Sequence, residues 1–195
     1  METGDALAQV TVAVERLPRE LREHVQRVRG IAVALALRHG LDPQKADLAA
    51  AAHDLARAVN TRELLKQTRL AVLPMHPVEK ALPVLLHGPL AAHWLRHQYG
   101  VADSEVLDAV QWHSTARQGL SPLAKLTFLA DKLDPLKVTR YPFLDAIREL
   151  AQEDLDEALL EFLTQELQRL LQGGHLVHPA SVEARNELLM RVKGV

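Results

Sequence analysis

Residues 38–57 read RHGLDPQKADLAAAAHDLAR. Asp42 offers a side-chain oxygen to free backbone N–H groups, and Pro43 suits a first helical position, so a helix opens here, just after the stop supplied by Gly40. The alanine run at 49–52 carries it to about residue 59, with side chains small enough for neighbouring helices to approach closely. His53 and Asp54 then fall deep in a helix among small neighbours, an expensive place for polar groups unless something binds them. Upstream, Leu17, Leu21, Val25, Val28, Ile31 and Leu35 recur at intervals of three and four and mark an amphipathic helix over 18–39, with His24 on its buried stripe. Downstream, the pattern predicts a short helix around 62–69 and then a linker-like approach containing Pro74, Pro77 and Pro83. A helix follows from His87-Gly88-Pro89 to about residue 99. The next is capped by Asp103 or Ser104 and sets Val106, Ala109, Val110 and His113 on one face. Another runs from Ser121-Pro122 to about residue 133, with Asp131 beside its apolar side. A loop over 134–142 and helices over 143–151, 154–172 and about 181–192 complete the chain.

Composition agrees with that reading. The 195 residues include 36 leucines and 27 alanines against 28 valines, isoleucines and threonines together, which excludes an all-β fold. One all-α domain of about eight to ten helices is expected, spanning 17–192 behind an N-terminal extension at 1–16. There is no internal repeat and no long linker. With 23 basic and 25 acidic residues the net charge is −2, so no chain-wide positive field exists to hold DNA or RNA, and a nucleotide must be gripped locally. The absence of cysteine excludes disulfides, thiolate metal sites and a cysteine nucleophile, and fits a cytoplasmic setting. No run of 18 apolar residues and no signal-like N-terminus is present, so neither export nor a membrane partner is expected.

Chemistry should lie among the ten histidines. His24, the pair His53-Asp54, His87, His113 and Asp131 stand on different expected helices, several on the apolar side. Any one of these histidines alone is more often a hydrogen-bonded core or surface residue than a ligand. Six such groups cannot be buried separately at tolerable cost, and convergence on metal satisfies them all. Four imidazoles and two carboxylates form a nitrogen and oxygen set suited to iron, manganese, cobalt, nickel or zinc.

The order His, His-Asp, His, His, Asp, at separations of 29, 34, 26 and 18 residues, resembles the signature of HD-domain metal-dependent phosphohydrolases. More narrowly, the chain resembles the YqeK family, HD-domain hydrolases that cleave diadenosine tetraphosphate symmetrically. The likeness covers about residues 17–190 and rests on RHGLDPQKADLAAAAHDLAR, LLHGPLAAHWLRHQYG, VLDAVQWHSTAR, LAKLTFLADKLDP, EDLDEALLEFL and HLVHPASVEARNELL. It implies an all-helical HD-domain bundle with two divalent metal ions, iron first among them. By position, it implies that His24, His53, Asp54 and Asp131 hold one metal, with Asp54 bridging to a second held by His87 and His113. A metal-activated hydroxide would attack one phosphorus and release two ADP, with Asp54 as a catalytic residue.

Lys132 is the expected electrostatic partner of a nonbridging phosphate oxygen, with Ser114, Thr115 and Arg140 as further donors; a surface role is the alternative for Lys132 and Arg140. His178 and Arg185 recur in the family's C-terminal stretch and read as substrate contacts, with a structural or pocket-wall role as the equal alternative. The chain departs from the family at Ala116, where a glycine is usual, at 136–141, where Asn-Arg-Asp-Phe-like residues are usual, and at Arg57, where lysine is common. Lys137 or Arg140 would then serve for the family's arginine, and the substrate class stays open to a mononucleotide, or to a nonhydrolytic nucleotide or metal sensor. His39, His76, His93, His97 and His175 read as solvated or packed, and Trp94 and Trp112 as core. A homodimer is the commonest closed assembly, and the sequence leaves oligomeric state undecided.

Overall fold

The computed structural model describes residues 3–194. Among them every regular element is helical, as expected, with eleven α-helices rather than eight to ten. The hub is α3 (Pro43–Ala52), which buries Ala46, Leu48 and the four alanines behind it. Asp42 caps it, accepting from the Gln44 and Lys45 N–H groups at 2.8 and 3.2 Å. Around it pack α1 (Thr3–Val14), α2 (Arg19–Arg38), α7 (Ser104–Trp112) and α8 (Pro122–Lys132). Methyl side chains on α3 let all four neighbours close on one short rod, which is what the alanine run promised. The stretch expected as an extension forms α1, whose Ala6, Val10 and Val14 are buried.

Three segments differ from the sequence reading. First, α3 stops at Ala52 rather than near 59. Beyond it the N–H groups of Leu55, Arg57 and Val59 bond the carbonyls of Ala52, Asp54 and Ala56, three residues back instead of four. This tighter turn takes Asp54 off the helix and swings it inward. Second, the linker-like approach after α4 (Thr61–Leu70) is built structure: α5 (Pro77–Ala81) and a 3₁₀ turn over Pro83–Leu86. Pro77 and Pro83 open these elements, because a fixed φ and a missing N–H cost nothing at a first helical position. Third, the loop after α8 contains a 3₁₀ turn, Pro135–Lys137, capped by Asp134. Beyond it come α9 (Leu144–Glu153), α10 (Leu155–Gln172) and α11 (Pro179–Lys193).

The remaining helix, α6 (His87–His97), lies against α7 so closely that a Cβ on Gly88 would stand 2.7 Å from the Gln111 carbonyl oxygen and 3.2 Å from that of Val110. Gly88→Ala should therefore force α6 and α7 apart and cost about 1–3 kcal/mol, read from urea denaturation midpoints. At the end of α4, by contrast, Val72 holds φ at 55° with its side chain 87% exposed. A β-branched residue is strained there and packs nothing in return. Val72→Gly should raise stability by about 1 kcal/mol in the same measurement.

Candidate metal centre and substrate cavity

Five helices deliver the six groups to one point. His24 comes from the second turn of α2, His53 and His113 from the ends of α3 and α7, His87 from the start of α6, Asp131 from the last turn of α8, and Asp54 from the turn after α3. Asp54 Oδ1 lies 3.0 Å from His87 Nε2 and 3.6 Å from His113 Nε2, while Oδ2 lies 3.5 Å from His53 Nε2 and 3.7 Å from His24 Nε2. Asp131 Oδ1 stands 3.1 Å from His24 Nε2 and 3.7 Å from His53 Nε2. Ligand atoms of His24, His53 and Asp131, and of His53, Asp54 and His113, are mutually close enough to hold an ion.

The other ring nitrogens show why these donors suit a cation. Nδ1–H of His53 donates to the Ala50 carbonyl at 2.6 Å, that of His113 to Val110 at 2.8 Å and that of His87 to Val84. Each acceptor is a carbonyl three residues back; those of Ala50 and Val110 lie at helix ends, and that of Val84 also takes the His87 backbone N–H. His24 Nδ1 is bound by the Asp134 carboxylate at 2.5 Å. With each Nδ1 turned outward to its acceptor, all four Nε2 atoms face inward, and those of His87 and His113 come within 2.9 Å of each other. Lone pairs at that separation repel unless positive charge lies among them. The negative ends of the α3 and α7 dipoles point the same way.

Electrostatics agree. Burial opposes a charge on His53, yet Asp54 and Asp131 outweigh it and push the imidazole up to about 10. Burial, with His87 and His53 alongside and against the pull of Asp54, brings His113 down to about 4, leaving it a neutral ligand at ordinary pH. Burial would raise Asp131, but Lys132 and Lys137 hold it well below the usual carboxylate range. The site thus collects protons and lysine ammonium groups around two ionised carboxylates, and a nitrogen and oxygen donor set of this kind fits divalent transition metals.

Beside the cluster opens a cavity of about 670 Å³. Of the expected substrate contacts, Ser114, Thr115, Lys132, Arg140 and His178 line it, and so do Arg57 and Lys137. Ser114 Oγ lies 3.3 and 3.2 Å from the Nε2 atoms of His87 and His113. Lys132 Nζ donates to Asp131 Oδ2 at 2.6 Å and to the His113 carbonyl at 3.2 Å. Arg140 stacks on Tyr141, its guanidinium carbon 5.1 Å from the ring centre. His178 caps α11 through Nδ1, while its Nε2 is buried without a hydrogen-bond partner. Arg185 is placed elsewhere: it bonds Thr164 Oγ1 at 3.3 Å and does not line the cavity. Ala116 adopts φ 57°, the left-handed conformation that makes a glycine usual there, and buries its methyl completely.

Residues 21–136, which bracket all six groups, match the family model described as HD domain. The chain belongs to the HD-domain family. Curated relatives of this HD-domain protein include the symmetrical bis(5'-nucleosyl)-tetraphosphatase of Halalkalibacterium halodurans, 32% identical over 171 residues that cover 88% of this chain and 90% of the relative. The protein of the same name from Bacillus subtilis is 31% identical over 166 residues, 85% of this chain and 88% of the relative. A crystal structure from Clostridium acetobutylicum, described as a predicted HD superfamily hydrolase involved in NAD metabolism, superposes with a TM-score of 0.88 at 27% identity, covering 94% of this chain and 97% of that one.

Sequence reasoning missed Asp134, which it left in a loop. Its carboxylate is 1% exposed as a residue and takes the Arg27 Nε and Nη2 fork at 2.8 and 2.9 Å while it anchors His24. Asp134 follows Asp131 by three residues and stands outside the His/Asp order, so no spacing marks it. Burial would raise its pKa, but the bonds from Arg27 and His24 bring it down to about 2. Folded below unfolded means that this contribution to stability is complete above about pH 4 and drains away as pH falls through about 2. Asp134→Ala should weaken divalent cation binding by about 10–100-fold, read by titrating chelator-stripped protein with Mn²⁺; an unchanged affinity would show that His24 needs no anchor.

Proposed function

We propose that this HD-domain protein is a cytoplasmic, metal-dependent hydrolase that cleaves diadenosine tetraphosphate symmetrically into two ADP, with His24, His53, Asp54, His87, His113 and Asp131 holding two divalent cations. The observation that carries the reading is the division of Asp54: one oxygen faces the His24 and His53 nitrogens, the other those of His87 and His113. A carboxylate so placed serves two ions at once. The names of the curated relatives support the substrate.

Two bound cations would bring the pKa of a water toward neutrality and offset charge on a phosphoryl oxygen. The chain's own residues do the rest. Nδ1–H donors fixed on carbonyls and on Asp134 keep the four rings from turning during the reaction. Lys132 and Lys137, which pair with Asp131 beside the cavity, would meet nonbridging phosphate oxygens there. Ser114 Oγ–H, beside His87 and His113, can donate to the same phosphate. Arg57 and Arg140 extend the cationic wall along the phosphate chain.

Metal-stripped protein should be inactive and regain activity with Fe²⁺, Mn²⁺ or Co²⁺, with ADP as the sole product by anion-exchange chromatography. Inorganic phosphate released from AMP would instead make the enzyme a mononucleotide phosphatase, and no turnover with any of the three metals would make it a sensor. Asp54→Ala should fall to the activity of the stripped protein while keeping its far-UV circular dichroism. Full activity in that variant would remove the bridging role.

A further inference from the structure

The cavity is lined by two kinds of surface. One holds the histidine and aspartate cluster ringed by Arg57, Lys132, Lys137 and Arg140. The other is walled by α10, which turns Phe162, Leu163, Glu166, Leu167 and Leu170 toward the space. These positions fall at i, i+1, i+4, i+5 and i+8, a single helical stripe. Four of the five are apolar, and Glu166 stands in their midst.

Glu166 is held in place. Its side chain is 16% exposed, and Arg169 grips both carboxylate oxygens, Nε at 2.6 Å and Nη2 at 2.8 Å. Arg169 itself does not line the cavity. A carboxylate accepts up to about four hydrogen bonds, so the fork fixes its orientation and leaves acceptor capacity on each oxygen. A negative group repels the phosphate chain of a nucleotide. It can profit only from the uncharged part of the nucleotide, from ribose hydroxyls or from the N–H donors of the base, and the apolar residues on either side of Glu166 suit the base rather than the sugar. Leu167 and Leu170, both partly exposed, and Leu176 give an apolar surface suited to the faces of a flat heterocycle, backed by the buried Tyr141 and Phe162 rings, which stand 5.2 Å apart.

We propose that α10 forms the nucleobase subsite and that Glu166 is its specificity residue, accepting the exocyclic amine of an amino-purine whose faces lie against the apolar stripe. This deepens the nucleotide-hydrolase reading and rests on it. The Arg169 fork makes the acceptor rigid before the ligand arrives, so little ordering cost opposes the contact.

The test compares two diphosphates that differ in that amine alone, ADP and purine riboside 5'-diphosphate, binding to metal-loaded protein by calorimetry. Wild type should prefer ADP by about 10–100-fold, the range for a hydrogen bond to a charged group. In Glu166→Ala the preference should collapse toward unity through loss of ADP affinity alone, and Glu166→Gln, which keeps an acceptor, should restore part of it. A wild-type preference near unity, a preference that survives in Glu166→Ala, or an equal loss of both ligands in that variant would overturn the assignment while leaving the nucleotide reading intact. Failure of wild type to bind either diphosphate would overturn both.

Discussion

Asp54 places two carboxylate oxygens among four imidazoles, three of them buried, whose Nε2 atoms all face it, and the rest of the molecule is organised around that crowding. Each unpaired polar group buried in this way costs about 1–3 kcal/mol, and lone pairs 2.9 Å apart add repulsion. The cluster is tolerable only if positive charge enters it. A proton on His53 and the ammonium groups of Lys132 and Lys137 supply some, and divalent cations would supply it better.

Helix ends are what make the convergence buildable. His53 and His113 occupy the C-terminal caps of α3 and α7, and His87 follows a 3₁₀ turn. At such a position a carbonyl of the last turn lies within reach, so each ring fixes its orientation on the backbone it grew from. His24, in the interior of α2, has no spare carbonyl within reach, since those of its own helix are already bonded. Asp134 replaces it, and Arg27 balances Asp134. The small residues of α3 and Gly88 at the α6–α7 contact let the helix ends come near enough to share one site.

The same economy of placement shapes the cavity. Cations collect where phosphate would lie, on the segments that also carry the cluster: the turn after α3, the end of α8 and the 3₁₀ turn behind it. The one acid that α10 turns into the cavity is neutralised by Arg169, which does not line it. Phe128, Tyr141 and Phe162 pack edge to face, with the Phe128 ring under the Lys132 ammonium at 4.8 Å. That aromatic wedge fixes α8 against α10.

Helical class, most element boundaries and the six-residue constellation were legible in the chain, because leucine periodicity, Asx and Ser caps, proline at first helical positions and His/Asp spacing are local or one-dimensional signals. Asp42, Asp103 and Ser121 cap the helices that their positions announce. The early end of α3 was not legible, since 43–59 has no breaker and only the pull of Asp54 toward its histidine partners favours the tighter turn. Nor could spacing place Asp134 beside His24, separate Arg185 from the cavity or seat Glu166 within it. Those are contacts across more than a hundred residues, or choices of which face of a helix meets empty space. Packing of one helix on another decides them, and that is a property of the folded molecule rather than of any stretch of its sequence.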